Sequence, residues 1–222
     1  MRYNIILADP PWLYDNPKNH DPAMGGTPYK QISQSELKQL PIQDIAEKDC
    51  CLFLFATLPK LPEALELMKA WGFTFTCVPF VWVKLNPNGT IIEIDKTTNK
   101  FLEIKSFIIT HFQTLFKKFT ILFGGVYSGL GHWTCGNAEI VLMGKIGHPK
   151  RLTKDVKQII FAPRSRHSRK PNEVRVRIKR LMGDTVPAIE LFATEKIEGW
   201  DSIGDEIDGL DIKDSLEYTM EK

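Results

Sequence analysis

Apolar positions in this chain fall mostly into continuous runs. "YNIILA" at 3–8 and "CLFLFAT" at 51–57 have the uninterrupted pattern of strands buried on both faces. "TFTCVPFVWVKL" at 74–85 predicts a further strand, bent or edged at Pro79, and "AEIVLMGK" at 138–145, "VKQIIFA" at 156–162 and "AIELFAT" at 188–194 predict three more. Between them the period changes. "SQSELKQLPIQDIAE" offers Ser33 or Ser35 as the cap of a short helix that Pro41 interrupts. "KLPEALELMKAWGF" predicts a helix with Pro62 near its start and Gly72 as its stop. "KPNEVRVRIKRLMG" at 170–183 predicts another, with Val174, Ile178 and Leu181 as its apolar face and Gly183 after its end. Strands alternating with helices predict an α/β fold with a mainly parallel, doubly wound sheet.

Two stretches break the rhythm. Residues 13–31, "LYDNPKNHDPAMGGTPYKQ", form a long loop rich in Asn, Pro, Gly and Asp, and loops of that length are usually functional or mobile. Residues 86–124 read as an insertion: "NGTIIEIDKTTNKFLEIK" has the pattern of a hairpin, and Ile108, Phe112, Leu115, Phe119 and Leu122 stand at helical spacing, a packing face or a self-association face. No repeat, Gly/Ser linker or low-complexity segment marks a boundary. The organisation expected is one domain over 1–208 with the insertion at 86–124, then an acidic tail at 209–222 with disorder as its default.

Composition narrows the class. The chain has 222 residues, and a hydrophobic share of 43% suffices for one sizeable core. No apolar run approaches a membrane span, and the start of the chain lacks a signal peptide, so a cytoplasmic protein is expected. Cys50, Cys51, Cys77 and Cys135 form no C-x-x-C pair; buried reduced thiols are expected, and no metal site. Net charge is only +2, but residues 164–180, "RSRHSRKPNEVRVRIKR", carry a dense basic run with one acid, Glu173. That run permits a polyanionic partner. Arg175, Arg177 and Arg180 read as a solvated helix face. For Arg164, Arg166 and Arg169, ahead of that helix, phosphate contact and a solvated helix start both stand.

The chemistry concentrates at "ADPPW", residues 8–12. In open α/β sheets ligands bind at the carboxyl ends of strands, and Asp9 follows such an end. Pro10 and Pro11 fix two φ angles and remove two N–H donors, so their carbonyls are expected to face a cleft as acceptors. A carboxylate, a rigid carbonyl and the flat face of Trp12 together suit an amino group on a flat ring. Two acceptors bind its two N–H hydrogens and favour the pyramidal geometry in which its lone pair becomes available to an activated methyl group. The bland alternative is a Pro-rich turn with Trp12 in the core.

Eight stretches, in order, carry a resemblance: "ADPPW" at 8–12, "LFLFAT" at 52–57, "AWGF" at 70–73, "FVWVK" at 80–84, "GLGHWT" at 129–134, "RHSRKPNE" at 166–173, "ELFA" at 190–193 and "GWDSIGDE" at 199–206. Over about residues 3–208 the chain resembles the MT-A70-like adenine N6-methyltransferases, in their compact bacterial or phage form. The resemblance implies a Rossmann-like fold with the catalytic motif early and cofactor segments late, and S-adenosylmethionine as cofactor. It implies that Asp9, Pro10, Pro11 and Trp12 are catalytic, with Asp9 and the Pro10 carbonyl on the adenine amine. It places Lys170, Phe192, Thr194, Asp205 and Glu206, together with Asp9, at the cofactor. Trp12, Tyr29, Lys84, Trp133, Arg164, Arg166 and Arg169 fall on the substrate side. The chain departs from the family where it has Thr194 and Cys135 for a frequent Arg, and Asp205 for a frequent Asn. Trp133 lies in the Gly-rich "GGVYSGLGHW", an odd place for a core residue and a fitting one for a target-side loop, whereas Trp71 and Trp82 read as core. His132 reads as a loop hydrogen-bonding residue.

Three functions remain open on this reading. The first is methylation of adenine N6 in DNA with short or relaxed specificity, by a monomer or homodimer, with a role in restriction protection as an extension. The second is the same chemistry on RNA, with no accompanying RNA-binding module to support it. The third is a catalytically silent nucleic-acid-binding scaffold, which the intact Asp9–Trp12 motif opposes.

Overall fold

The computed structural model describes residues 1–14, 31–87, 90–95, 118–123, 125–129, 133–165 and 169–221. The chain divides into two compact units, one of Met1–Trp82, Ala138–Ile160 and Asn172–Lys222, the other of Val83–Asn137 and Phe161–Pro171.

The first unit carries the main sheet. Its strands are β1 (Tyr3–Ala8), β2 (Ala46–Ala56), β3 (Thr74–Leu85), β6 (Ala138–Ile146), β7 (Ile159–Pro163), β8 (Ala188–Leu191) and β9 (Asp201–Ile203), in the order β7-β3-β6-β2-β1-β8-β9. β3 and β7 continue into the second unit, whose own strands are β4 (Thr90–Asp95) and β5 (Lys118–Phe123). The helices are α1 (Gln34–Lys38), α2 (Leu61–Ala70), α3 (Asn172–Met182), α4 (Asp205–Asp208) and α5 (Ile212–Glu221). β1 lies near the middle because Ile5, Ile6 and Leu7 are almost fully buried and must be covered on both faces. Cys51–Ala56 of β2 are buried alongside them.

β1 pairs in parallel with β2 and β8, and β8 with β9. β6 runs antiparallel to β2, so the sheet is mixed, where the alternation of elements predicts a mainly parallel one. The reason is the path of the chain. It leaves β3 at its end and returns beside that end, Lys84 N–H donating to the Asn137 carbonyl at 2.8 Å. A strand that re-enters at the end where β3 leaves runs back along the sheet the other way.

A local signal starts α1. Ser33 caps α1 in a capping box: its Oγ accepts from Glu36 N–H, and its own N–H donates to Glu36 Oε2 at 3.0 Å. Trp71, after α2, is buried and donates Nε1–H to the Leu37 carbonyl at 2.8 Å, tying α2 to α1. Trp82 is buried as well.

Four expectations are corrected. The acidic end of the chain folds: α5 buries Ile212, Ser215, Leu216 and Thr219, and only its outer face is acidic. Phe119 and Leu122, read at helical spacing, lie in β5, which pairs with β4 in the register Ile92↔Ile121 and Ile94↔Phe119. Spacing of three residues fits either element over so short a run; the β-branched and aromatic residues of "KFTILF", facing an Ile-rich partner, favour the strand. Of the four cysteines only Cys50 and Cys51 are buried, in β2; Cys77 and Cys135 are exposed. Arg175, read on a solvated face, is buried.

Candidate active site

In the first unit, pairing registers align Ala8 with Leu191 and Leu191 with Ile203. The residues that follow this row are Asp9, Phe192 and Gly204. Because the three strands are parallel, all three residues leave the same end of the sheet. Neighbouring strands lie about 4.8 Å apart, so the chain at Asp9 is one spacing from Phe192 and about 10 Å from Gly204. This is the carboxyl edge at which open α/β sheets bind ligands.

The backbone there is unusual. Phe192 has φ 60°, and among the described residues it alone, glycine apart, has a positive φ. A bulky residue in that region carries strain of about 1–3 kcal/mol, which clusters at ligand sites. Gly204 has φ 159°, and a Cβ there would stand 2.7 Å from the Ala193 carbonyl oxygen and 2.8 Å from its nitrogen. Ala193 N–H donates to the Ile203 carbonyl at 3.0 Å, locking the two strand ends together. Asp205 and Glu206 follow, both exposed, and Asp205 Oδ1 accepts from Glu206 N–H at 3.0 Å. Phe192 and Thr194 are half-buried.

Asp9 is half-buried and Pro10 buried. The proline carbonyls, expected as acceptors, already accept hydrogen bonds from within the chain. Pro10 accepts from Trp12 N–H at 2.9 Å and Pro11 from Ile32 N–H at 3.0 Å. The prolines remove their own donors, but the next free N–H folds back onto Pro10. A carbonyl oxygen has two lone pairs, so Pro10 keeps one acceptor direction. Trp12 is 7% exposed and part of the core, so what it contributes at this edge is a buried wall. Tyr14 follows: its hydroxyl shares a 2.8 Å hydrogen bond with Thr57 Oγ1, and Lys60 Nζ lies 5.5 Å from its ring centre.

The pattern of motifs missed a buried pair behind this edge. Arg175 of α3 donates Nε–H and Nη2–H to the two carboxylate oxygens of Glu190 in β8, each at 2.6 Å. The signal was present: Arg175 stands on the stripe of Val174 and Ile178, and Glu190 interrupts an apolar strand. At the far side of β8, Tyr3 donates its hydroxyl to Asp201 Oδ2 at 2.7 Å; burial and that carboxylate push the phenol pKa up.

The second unit gathers other predicted residues around the end of β3. Lys84, half-buried, accepts through its carbonyl from Tyr127 N–H at 2.8 Å, and Leu85 accepts from Arg164 N–H at 3.0 Å. The Arg164 guanidinium stacks 3.8 Å from the Tyr127 ring centre. Gly129 and Gly136 exchange two 3.0 Å backbone hydrogen bonds, and Trp133, between them in sequence, is 98% exposed. Arg169 is exposed and Lys170 half-buried. Tyr29, Arg166 and His132 lie outside the described residues.

The sheet, with acids and a strained aromatic at the carboxyl ends of its parallel strands, fits the Rossmann-like methyltransferase class that the family match gives. The model of the MT-A70 family matches residues 3–107 and 113–206, and the chain belongs to that family of methyltransferases. It is 28% identical over 225 residues to the Type II methyltransferase M.MunI of Mycoplasma sp, covering 93% of this chain and 78% of that protein. It is 24% identical over 210 residues to the N(6)-adenosine-methyltransferase MT-A70-like of Arabidopsis thaliana. It is 25% identical over 215 residues to the probable N(6)-adenosine-methyltransferase MT-A70-like of Oryza sativa subsp. japonica. The chain spans 24% of the length of each plant protein. No helix among the described residues is long and apolar enough to cross a membrane.

Proposed function

We propose that this chain transfers a methyl group from S-adenosylmethionine to the N6 amine of adenine in DNA. The observation that carries the reading is the row Ala8, Leu191 and Ile203, whose next residues are Asp9, Phe192 and Gly204.

The residues on that edge fit a nucleoside cofactor. Asp205 and Glu206 are carboxylates, which accept from ribose hydroxyls. Phe192 supplies an apolar wall, and the absence of a side chain at Gly204 lets the end of β9 pack directly on the backbone of Phe192 and Ala193. Thr194 is the remaining cofactor contact of the first unit in this reading, and Lys170, in the second unit, is assigned to the cofactor from the resemblance alone. When bound, S-adenosylmethionine supplies an electrophilic methyl group on a sulfonium.

Asp9 does the positioning. Its carboxylate accepts one N–H of the adenine amine, and the second lone pair of the Pro10 carbonyl accepts the other. The nitrogen lone pair, otherwise delocalised into the ring, is thereby directed out of the ring plane towards the methyl group. Once the N–C bond has formed the nitrogen is cationic; one of its two N–H protons leaves to water and the other stays on the methylated amine. Preorganised acceptors of this kind act where charge develops. Lys84, Arg164, Arg166 and Arg169 are assigned to the nucleic acid, as phosphate-contacting groups.

DNA is preferred because the Type II methyltransferase is matched over most of its length, whereas the plant proteins are matched over a quarter of theirs. RNA is the second reading, since the plant relatives are named as adenosine methyltransferases. Incubation with labelled S-adenosylmethionine and matched DNA and RNA oligonucleotides, followed by nucleoside analysis, decides between them. N6-methyladenine in DNA supports the proposal. Label in RNA alone overturns the substrate, and absence of label in both overturns the reaction.

A further inference from the structure

Five tryptophans divide sharply by exposure. Trp12, Trp71, Trp82 and Trp200 are at most 8% exposed, and Trp133 is 98% exposed. A fully solvated indole presents a flat apolar face and a polar N–H, and such side chains are enriched where proteins meet partners. Gly129 and Gly136, on either side of it in sequence, exchange a reciprocal pair of 3.0 Å backbone hydrogen bonds. A Cβ on Gly129 would stand 3.0 Å from Tyr127 Cε1, so the closing pair packs against the ring on which Arg164 is stacked.

Charge identifies the partner. Segments 125–137 and 161–171 contain no Asp or Glu, while 161–171 holds Arg164, Arg166, Arg169 and Lys170. An exposed aromatic in one acid-free segment and a cluster of cations in another, both in the second unit, is a combination that serves nucleic-acid binding by stacking and phosphate contact.

We infer that Trp133 is a base-stacking wedge that inserts into duplex nucleic acid, with Arg164 and Arg169 on the flanking phosphates. The inference rests on the reading of the chain as a nucleic-acid methyltransferase and adds the duplex as its substrate form. A paired adenine amine is stacked and unreachable until its base leaves the helix, at a cost of a few kcal/mol. An inserted side chain offsets that cost by replacing part of the lost stacking.

The test uses the full chain, Trp133→Ala and Trp133→Phe, on three oligonucleotides: a duplex with paired adenine, the same duplex with an abasic site opposite the adenine, and the single strand. Trp133 dominates the red edge of the tryptophan emission, so its environment is read directly by the emission that Trp133→Phe removes. The expected result is quenching of that emission by saturating duplex. Trp133→Ala weakens binding and methylation of the paired duplex by about 10- to 100-fold, since stacking on one base is worth about 1–3 kcal/mol. Trp133→Phe retains most of the activity, and the loss shrinks on the abasic and single-stranded substrates. Unchanged emission on saturation overturns the wedge, as does an equal loss on all three substrates. A Trp133→Ala variant with normal duplex activity or an altered oligomeric state also overturns it, the last assigning the loop to a protein contact. A wild-type chain that is quenched by duplex but methylates no adenine keeps the wedge and overturns the catalytic reading; methylation without quenching does the reverse.

Discussion

Removing one partner of the Arg175–Glu190 pair tests whether the carboxyl edge is held from behind. The two side chains are 4% and 5% exposed and joined by two 2.6 Å hydrogen bonds. Glu190→Gln leaves the guanidinium charge buried beside a neutral amide, and Arg175→Met leaves the carboxylate alone. Breaking a buried pair from one side costs about 3–5 kcal/mol, because an uncompensated charge remains. At about 2.1 cal/mol/K per residue, 222 residues give an unfolding entropy near 0.47 kcal/mol/K, so Tm falls by about 6–11 °C. The double variant Arg175→Met/Glu190→Leu behaves differently. It removes both charges, and it also removes Arg175 Nη1, which has no hydrogen-bond partner among the described residues. Its Tm is expected within about 4 °C of wild type, since apolar replacement of a buried pair is often neutral. Thermal unfolding followed by circular dichroism measures all three. Single variants within about 2 °C of wild type, or a double variant as unstable as the sum of the singles, would refute the argument. The pair joins β8, which ends one residue before Phe192, to α3, which begins two residues after Lys170. Under the proposed function the single variants also weaken S-adenosylmethionine binding, measured by titration calorimetry below their Tm.

Other consequences are as direct. Gly204→Ala places a methyl group 2.7 Å from the Ala193 carbonyl oxygen, so it lowers stability by about 1–3 kcal/mol in denaturant titration and weakens cofactor binding. Burial pushes the Cys51 thiol up to about 11 and the Cys50 thiol up as well, so at pH 8 both stay protonated; a thiol reagent modifies Cys77 and Cys135 in the native protein and reaches all four only after unfolding. Each of Arg164→Ala and Arg169→Ala lowers the magnitude of the salt slope of log K for DNA binding by about 1, read by fluorescence anisotropy across a salt series.

The strands were legible because their signal is local. Runs such as Leu52–Ala56 are apolar throughout, and Ser33 with Glu36 carries the whole capping box within four residues. What escaped depends on residues far away in the chain. The direction of β6 is set by where the chain re-enters beside Lys84, which no window over 138–145 contains. Burial of Arg175 depends on Glu190, and the choice between helix and strand at Phe119 depends on Ile94. The acidic end folds because Ile212 and Leu216 recur at helical spacing, a weak signal inside a strongly charged segment. For the candidate site, the motif Asp9-Pro10-Pro11-Trp12 and its place after the first strand were visible in the letters. The engagement of the Pro10 carbonyl and the alignment of Asp9 with Phe192 and Gly204 are products of backbone geometry and register.

The central claim is that Asp9 holds the amine that receives the methyl group. The most direct measurement compares wild type, Asp9→Ala and Asp9→Asn in single-turnover methyl transfer to a DNA duplex, with cofactor affinity and Tm measured on the same preparations. The account predicts N6-methyladenine from wild type. For Asp9→Ala it predicts a fall of at least about 10²–10³-fold in the transfer rate with Tm within a few degrees, and for Asp9→Asn a comparable fall, because the amide turns a donor toward the amine and loses the charge. Near-normal turnover by Asp9→Ala would contradict it.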